Sequence, residues 1–304
     1  MTAVSRALVA VFAAPALLLG AARAHRPSNA RAADAPPAVA ADDSAVVLAA
    51  GDVAFCDDRG RGARQTAAML DTLAGEVLAL GDLAYMHGSA DEFRDCFGPA
   101  WGRFLGRIHP APGNHEYETP DAAGYFGYFG ARAGPAGQGW YSFTLGAWHV
   151  VSLNSNVDMS PGSPQEQWLR ADLAANPPVC TLAFWHHPRF SSGRHGPTRE
   201  VEPLWRALAE AGVELVLQGH DHDYERFAPM DADGNVDQAW GVRSFVVGTG
   251  GAPLRDSSRP ARGSEVRSLG WGLLRLTLRP DSYGWQMLAD GHDEPVDEGE
   301  GLCH

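Results

Sequence analysis

The chain has 304 residues and 45% hydrophobic content, enough to bury one large core or two small ones. All 24 of its basic residues are arginine, which excludes a lysine nucleophile and a phosphate-loop lysine. A formal charge of −13 argues against a nucleic-acid surface, so an anionic substrate has to be drawn in by a local feature.

Residues 1–24 carry Arg6, a 16-residue apolar stretch from Ala7 to Ala22, and the small-x-small end Ala22-Arg23-Ala24. This is the pattern of a secretory signal peptide, and the stretch is short of the about 20 residues a membrane span needs. Its removal takes two arginines and brings the charge to −15. Residues 25–44 are rich in Ala and Pro and read as a disordered lead-in; 45–304 read as one domain. An exported chain with Cys56, Cys96, Cys180 and Cys303 is expected to form two disulfides. Nearness in sequence and the need to tie down the C-terminus favour Cys56–Cys96 and Cys180–Cys303.

Five segments share one design. "AVVLAAGD" ends at Asp52, "EVLALGD" at Asp82, "RIHPAPGN" at Asn114, "CTLAFWH" at His186 and "VELVLQGH" at His220. Each begins as a short apolar run of the kind that forms strands buried on both faces. Four place Gly before the polar residue, where the backbone must turn sharply or approach something closely. Residues 63–74 and 198–211 have helical apolar spacing, and Ser163 opens a third helix with a capped first turn. The alternation implies an α/β fold, in which ligands bind beyond the carboxyl ends of the strands. The later stretch, 240–290, reads as antiparallel strands forming a second sheet packed on the first.

Two carboxylates, an amide oxygen and several imidazoles suit a site for two metal ions, with a single carboxylate bridging them. The motifs "GDVA", "GDLAY", "GNHE", "AFWH" and "GHDHDYER" stand in an order that resembles the calcineurin-like metallophosphoesterases, and more narrowly the purple acid phosphatases. The resemblance runs from about residue 45 to 290. It implies a four-layer α/β/β/α sandwich with two mixed sheets. It also implies a role for each residue. Asp52, Tyr85 and His222 would hold the first metal; Asn114, His186 and His220 the second; Asp82 would bridge. His115 would protonate the leaving oxygen or hydrogen-bond the phosphoryl group. His195, nine residues after His186, would stand on the substrate side.

Many of the wider family carry His two residues after the first Asp. Here that position is Ala54, which cannot ligate, and Tyr85 supplies the missing donor. A phenolate favours a hard trivalent ion. The expectation is therefore Fe(III) at the first position and Fe(II), Zn or Mn at the second. The implied reaction is attack of a metal-bound hydroxide on a phosphate monoester, as in an acid phosphatase. A phosphodiesterase or nucleotide pyrophosphatase on the same scaffold is the alternative; a non-catalytic metal-binding surface protein is a further one. The expected partner is a small-molecule or nucleotide phosphate ester, outside the cytoplasm, with no nucleic-acid surface and no stable membrane anchor. The stretch before residue 45 is shorter than the N-terminal β-sandwich of plant purple acid phosphatases, so oligomerisation through such a domain is not expected.

Other residues get plainer readings. His187 reads as an outer or structural contact beside the ligand His186. Arg189 and Arg194 read as exposed loop arginines, and Glu225 with Arg226 as a buried ion pair. His87, His109, His149, His292 and His304 have no motif support. "DADGNVD", from Asp231, reads as a turn, and "VVGTGGAPL", from Val246, as a tight strand exit close to the metals.

Overall fold

A computed structural model describes residues 43–304 except 58–59, 177–179 and 257–258. The signal-peptide segment and nearly all of the lead-in lie outside the described residues. In chain order the strands are β1 (Ala45–Ala50), β2 (Ala54–Phe55), β3 (Glu76–Leu80), β4 (Ala84–Tyr85), β5 (Ile108–Ala111), β6 (Tyr141–Leu145), β7 (Trp148–Ser152) and β8 (Cys180–Phe184). They continue with β9 (Leu215–Gln218), β10 (Tyr224–Phe227), β11 (Arg243–Val247), β12 (Ser264–Ser268), β13 (Gly272–Arg279), β14 (Ser282–Ala289) and β15 (Asp297–Leu302).

Two large mixed sheets result. One has the order β15-β14-β13-β1-β3-β5; the other has β12-β10-β11-β9-β8-β7-β6. A third, two-stranded piece pairs β2 with β4 in parallel. The five apolar runs all become strands, but they divide between the sheets: β1, β3 and β5 in the first, β8 and β9 in the second. The expectation for 240–290 is corrected here. Those strands build no separate antiparallel sheet. β13 extends the first sheet antiparallel to β1, and β11 lies parallel to β9 in the second.

The two sheets face one another. Phe245 on β11 packs edge-on against Trp285 on β14 at 5.9 Å, and Trp148 on β7 meets Tyr283 on β14 at 6.0 Å. The second sheet shows why its strands are apolar throughout. Leu182 and Phe184 point into the core between the sheets, while Ala183 and Trp185 point into an outer core. Helices Pro164–Ala175 and Glu202–Glu210 close that outer core through Leu169, Leu204 and Leu208. Helix Arg61–Thr72 packs Ala63, Ala67 and Leu70 against the first sheet. Ser163 caps its helix by accepting the Glu166 N–H, as its sequence signals.

Both expected disulfides form. Cys56–Cys96 and Cys180–Cys303 have Cα separations of 5.5 and 5.7 Å. The second fastens the end of the chain to β8, across 123 positions of sequence. Closing so long a loop restricts the unfolded chain, so its removal is expected to cost about 2–5 kcal/mol. The double variant Cys180→Ser/Cys303→Ser should therefore unfold at lower urea and with a steeper slope, because the freed unfolded chain is less compact; an unchanged midpoint would show that the bridge restrains nothing the fold does not already hold.

Candidate metal centre

The carboxyl ends of β1, β3, β5, β8 and β9 all meet at one edge of the sandwich, and backbone bonds join them. Asp52 N–H donates to Gly81 O and Val53 N–H to Asp82 O, each at 2.9 Å; Gly219 N–H donates to His186 O at 2.9 Å. The turns are tight enough to leave no room for side chains. A Cβ on Gly113 would lie 2.1 Å from Asp82 Oδ1, and one on Gly81 2.7 Å from His186 Nδ1. Asp52, Asp82 and His220, three of the five described non-glycine residues with left-handed backbone, have φ of 59°, 51° and 74°. Such backbone is costly and persists where the surroundings over-determine it.

Each carboxylate is tied by a backbone N–H on one oxygen, and its other oxygen faces side-chain groups. Asp52 Oδ2 accepts the His220 N–H at 2.8 Å, and Asp82 Oδ1 accepts the His115 N–H at 2.9 Å. The other oxygens face two groups of donors. Tyr85 Oη lies 2.7 Å from Asp52 Oδ1 and 3.2 Å from His222 Nε2, which is itself 3.3 Å from Asp52 Oδ1. On the other side, His186 Nε2 lies 3.2 Å from His220 Nδ1. Asp82 Oδ2 stands between the groups, 3.2 Å from Tyr85 Oη and 3.2 Å from His186 Nε2. The imidazoles are held from behind. His186 Nδ1 donates to Leu80 O and His222 Nδ1 to Pro253 O, both at 2.8 Å, which turns each Nε2 inward.

Burial acts to raise the Asp82 carboxyl and to strip His186 of its proton. Their mutual attraction wins, holding Asp82 well below the usual carboxylate range and lifting His186 to about 9. Burial, then the charges of Asp52 and Asp82, push the Tyr85 phenol well above 10. Burial and the neighbouring His186 push His220 far down and His187 to about 3. The donor set fits metal ions. Asn114 Oδ1 is buried and has no hydrogen-bond partner among the described residues, a state that costs about 1–3 kcal/mol unless a cation or donor meets it.

His115 Nδ1 contacts Met86 O at 2.6 Å, and its Nε2 is 3.9 Å from Asp82 Oδ2. His195 is exposed, with its ring 4.4 Å from that of His220. Its Nε2 accepts from Arg255 Nη1 at 2.5 Å. Asp221 faces away from the donor cluster and holds the loop that carries His195, accepting the N–H groups of His195 and Gly196 and the hydroxyl of Ser191. The glycine-rich exit after β11 does abut the centre: Gly250 N–H donates to Gly51 O and Ala252 N–H to Asp52 O, both at 2.8 Å. "DADGNVD" is a turn closed by Asp231 Oδ1 on the N–H groups of Asp233 and Asn235.

Two readings need correction. Glu225 and Arg226 do not pair with each other, because neighbours on β10 point to opposite faces. Glu225 accepts from Ser192, and Arg226 pairs with Asp297 at 2.7 Å and with Glu265. Arg189 is partly buried over the Phe190 ring rather than exposed.

The family model for calcineurin-like phosphoesterases matches residues 45–224, the segment that supplies all seven of these donors. The chain belongs to the calcineurin-like phosphoesterase family. Within this phosphoesterase family it is similar to purple acid phosphatases. It is 30% identical to Purple acid phosphatase 18 of Arabidopsis thaliana over 72% of this chain and 54% of that one. To Purple acid phosphatase 15 of the same plant it is 28% identical over 49% of this chain and 35% of that one. The chain thus spans about a third to a half of the curated relatives it matches. A purple acid phosphatase from yellow lupin (Lupinus luteus) seeds shares the fold, with a TM-score of 0.67 at 19% identity over 84% of this chain and 53% of that one. The purple acid phosphatase-like family implies a dinuclear metal centre.

The sequence reading passed over Glu116. Its buried carboxylate accepts the N–H groups of Asp82, Leu83 and Gly113 at 2.7–2.8 Å and that of Ala84 at 3.3 Å. The signal was present as the last letter of "GNHE". Glu116→Gln would turn an amide NH2 toward backbone donors. It should cost about 2–4 kcal/mol of stability, read by denaturant unfolding, and weaken metal retention. Unchanged stability and metal content would show that the clamp is dispensable.

Proposed function

We propose that this chain is an exported, dinuclear-metal hydrolase of phosphate monoesters. The observation that carries the reading is the position of Asp82 Oδ2, 3.2 Å from a donor of each group, as a bridging ligand requires. Asp52, Tyr85 and His222 would hold one ion; Asn114, His186 and His220 the other; Asp82 both. Tyr85 favours Fe(III) at the first position, since a hard trivalent ion prefers a phenolate oxygen to a neutral imidazole. Fe(II), Zn or Mn would take the second. When bound, two such ions acidify water and neutralise phosphoryl oxygens.

The chain's own groups complete the chemistry. His115 Nδ1 donates to Met86 O, so a proton carried on its other nitrogen, Nε2, would stand on the side of the centre. Passing that proton to the leaving oxygen returns a neutral imidazole that the Met86 carbonyl still orients. Arg255 and His195 stand at the rim, where a cationic guanidinium draws in an anionic ester on a chain of charge −13. Preference for monoesters rests on the likeness to phosphatases. Export rests on residues 1–24 and on two disulfides, which persist in oxidising compartments. No helix among the described residues is long and apolar enough to cross a membrane.

Purified protein should contain two metal ions per chain and show a tyrosinate-to-Fe(III) band that Tyr85→Phe removes. A colourless, fully active protein with two Zn or Mn ions would contradict the iron assignment. A nitrophenyl monoester should be hydrolysed in preference to the bis-nitrophenyl diester; strong preference for the diester would contradict the substrate class. His115→Ala should slow esters with poor leaving groups by about 10²–10⁴-fold and those with good ones far less. Equal losses on both would remove the acid role.

A further inference from the structure

The sequence pattern offers one ligand from the pair at 186–187, yet both rings turn toward the centre. The His187 ring lies 4.5 Å from that of His220 and 5.0 Å from that of His186. One nitrogen from each of His186, His187 and His220 lies within 4.8 Å of the others. Consecutive residues of a regular strand would point to opposite faces. β8 ends at Phe184, so these two histidines sit beyond it, in a bend where that rule no longer holds.

His187 is built into its place from behind. Its Nδ1 lies 2.8 Å from Ser155 Oγ, and the same oxygen accepts the His187 N–H at 3.1 Å. Its carbonyl accepts the indole N–H of Trp185 at 2.7 Å. Ser155 is itself buried, in the turn that follows β7. His186 and His222 are likewise anchored outward, their Nδ1 atoms donating to the carbonyls of Leu80 and Pro253, whereas the Ser155 hydroxyl can either accept from Nδ1–H or donate to Nδ1. An imidazole anchored outward through Nδ1 presents Nε2 inward, and an outer oxygen that takes the Nδ1 proton leaves Nε2 as a lone pair.

We propose that His187 is a further ligand of the second metal position, giving that position three imidazoles, from His186, His187 and His220, beside Asn114 and Asp82. The inference rests on the dinuclear reading above. Its chemical consequence is selectivity. A nitrogen-rich position suits zinc or ferrous iron, and disfavours manganese and magnesium, which take oxygen donors. Ser155 then acts as a positioning residue, fixing the tautomer.

The test uses the full chain, loaded with zinc at both positions and labelled with 15N in its histidines. The His187 ring signals are identified by their loss in His187→Gln. On filling of the second position, His187 Nε2 should shift as imidazole nitrogens do when they bind zinc, with the proton remaining on Nδ1. A proton on Nε2 in the loaded protein would overturn the proposal, making His187 a donor. By competition with a chelator, His187→Ala should weaken zinc at the second position by more than about 100-fold. Loss of an outer partner costs only about 10–100-fold, so Ser155→Ala should fall in that lower range. A weakening of less than about 100-fold in His187→Ala, the range of an outer partner or below it, in protein whose first position still binds zinc normally, would also overturn it. Wild-type protein that takes up only one zinc would sink the dinuclear reading itself; two bound zinc ions with His187 unshifted would sink this inference alone.

Discussion

Strands β3 and β5 must end close enough for Asp82 and Asn114 to face the same space, and one buried carboxylate brings them there. Glu116 takes three backbone N–H groups from the turn after β3 and one from the turn after β5. Those donors lie beyond the strand ends, in tight turns, and find no partner in the β-ladder. A single anion that satisfies all four fixes both turns at once, and with them the left-handed backbone of Asp82. The His115 N–H then lands on Asp82 Oδ1, which leaves Oδ2 between the two donor groups. Burial, then the charge of Asp82, pushes Glu116 up to about 7.

The same burial shapes the rest of the centre. Asp52, Asp82 and Glu116 lie within the sandwich edge at almost no exposure; imidazoles and a phenol face the first two, and backbone N–H groups face the third. Buried charges without partners are costly, so such a cluster is stable only with protons or metal ions in it. The sequence supplies acceptors in excess and places no arginine within the cluster. That combination of donor atoms is what makes cation binding the natural resolution.

Much of this was legible in the chain itself. Short apolar runs ending in Gly and a polar residue reported both the strands and the ends that meet at the candidate site, because a strand buried on two faces needs an apolar run and a close turn needs glycine. The two-residue spacing of His220 and His222 was likewise readable, as was the retreat of Asp221 between them. Which sheet each strand joins was not. β13 and β14 carry the alternation of any antiparallel pair, and nothing local says that they lie beside β1 rather than in a sheet of their own. The partners of Glu225 and Arg226 were hidden for a similar reason: Asp297, which binds Arg226, comes 71 positions later. Glu116 was visible as a letter, but its role is a set of backbone contacts, which sequence does not display. The apolar-x-x-His pattern picks out His186, and the turn of the His187 ring toward the centre depends on where β8 ends, which the letters do not display.

The central claim is that two metal ions share Asp82. Crystals of metal-loaded protein, measured at the absorption edges of the bound metals, test it directly. The account predicts two anomalous peaks about 3.5–4 Å apart, both in contact with Asp82, one beside Tyr85 and His222 and the other beside His186 and His220. A single peak, or two peaks of which only one touches Asp82, would contradict it.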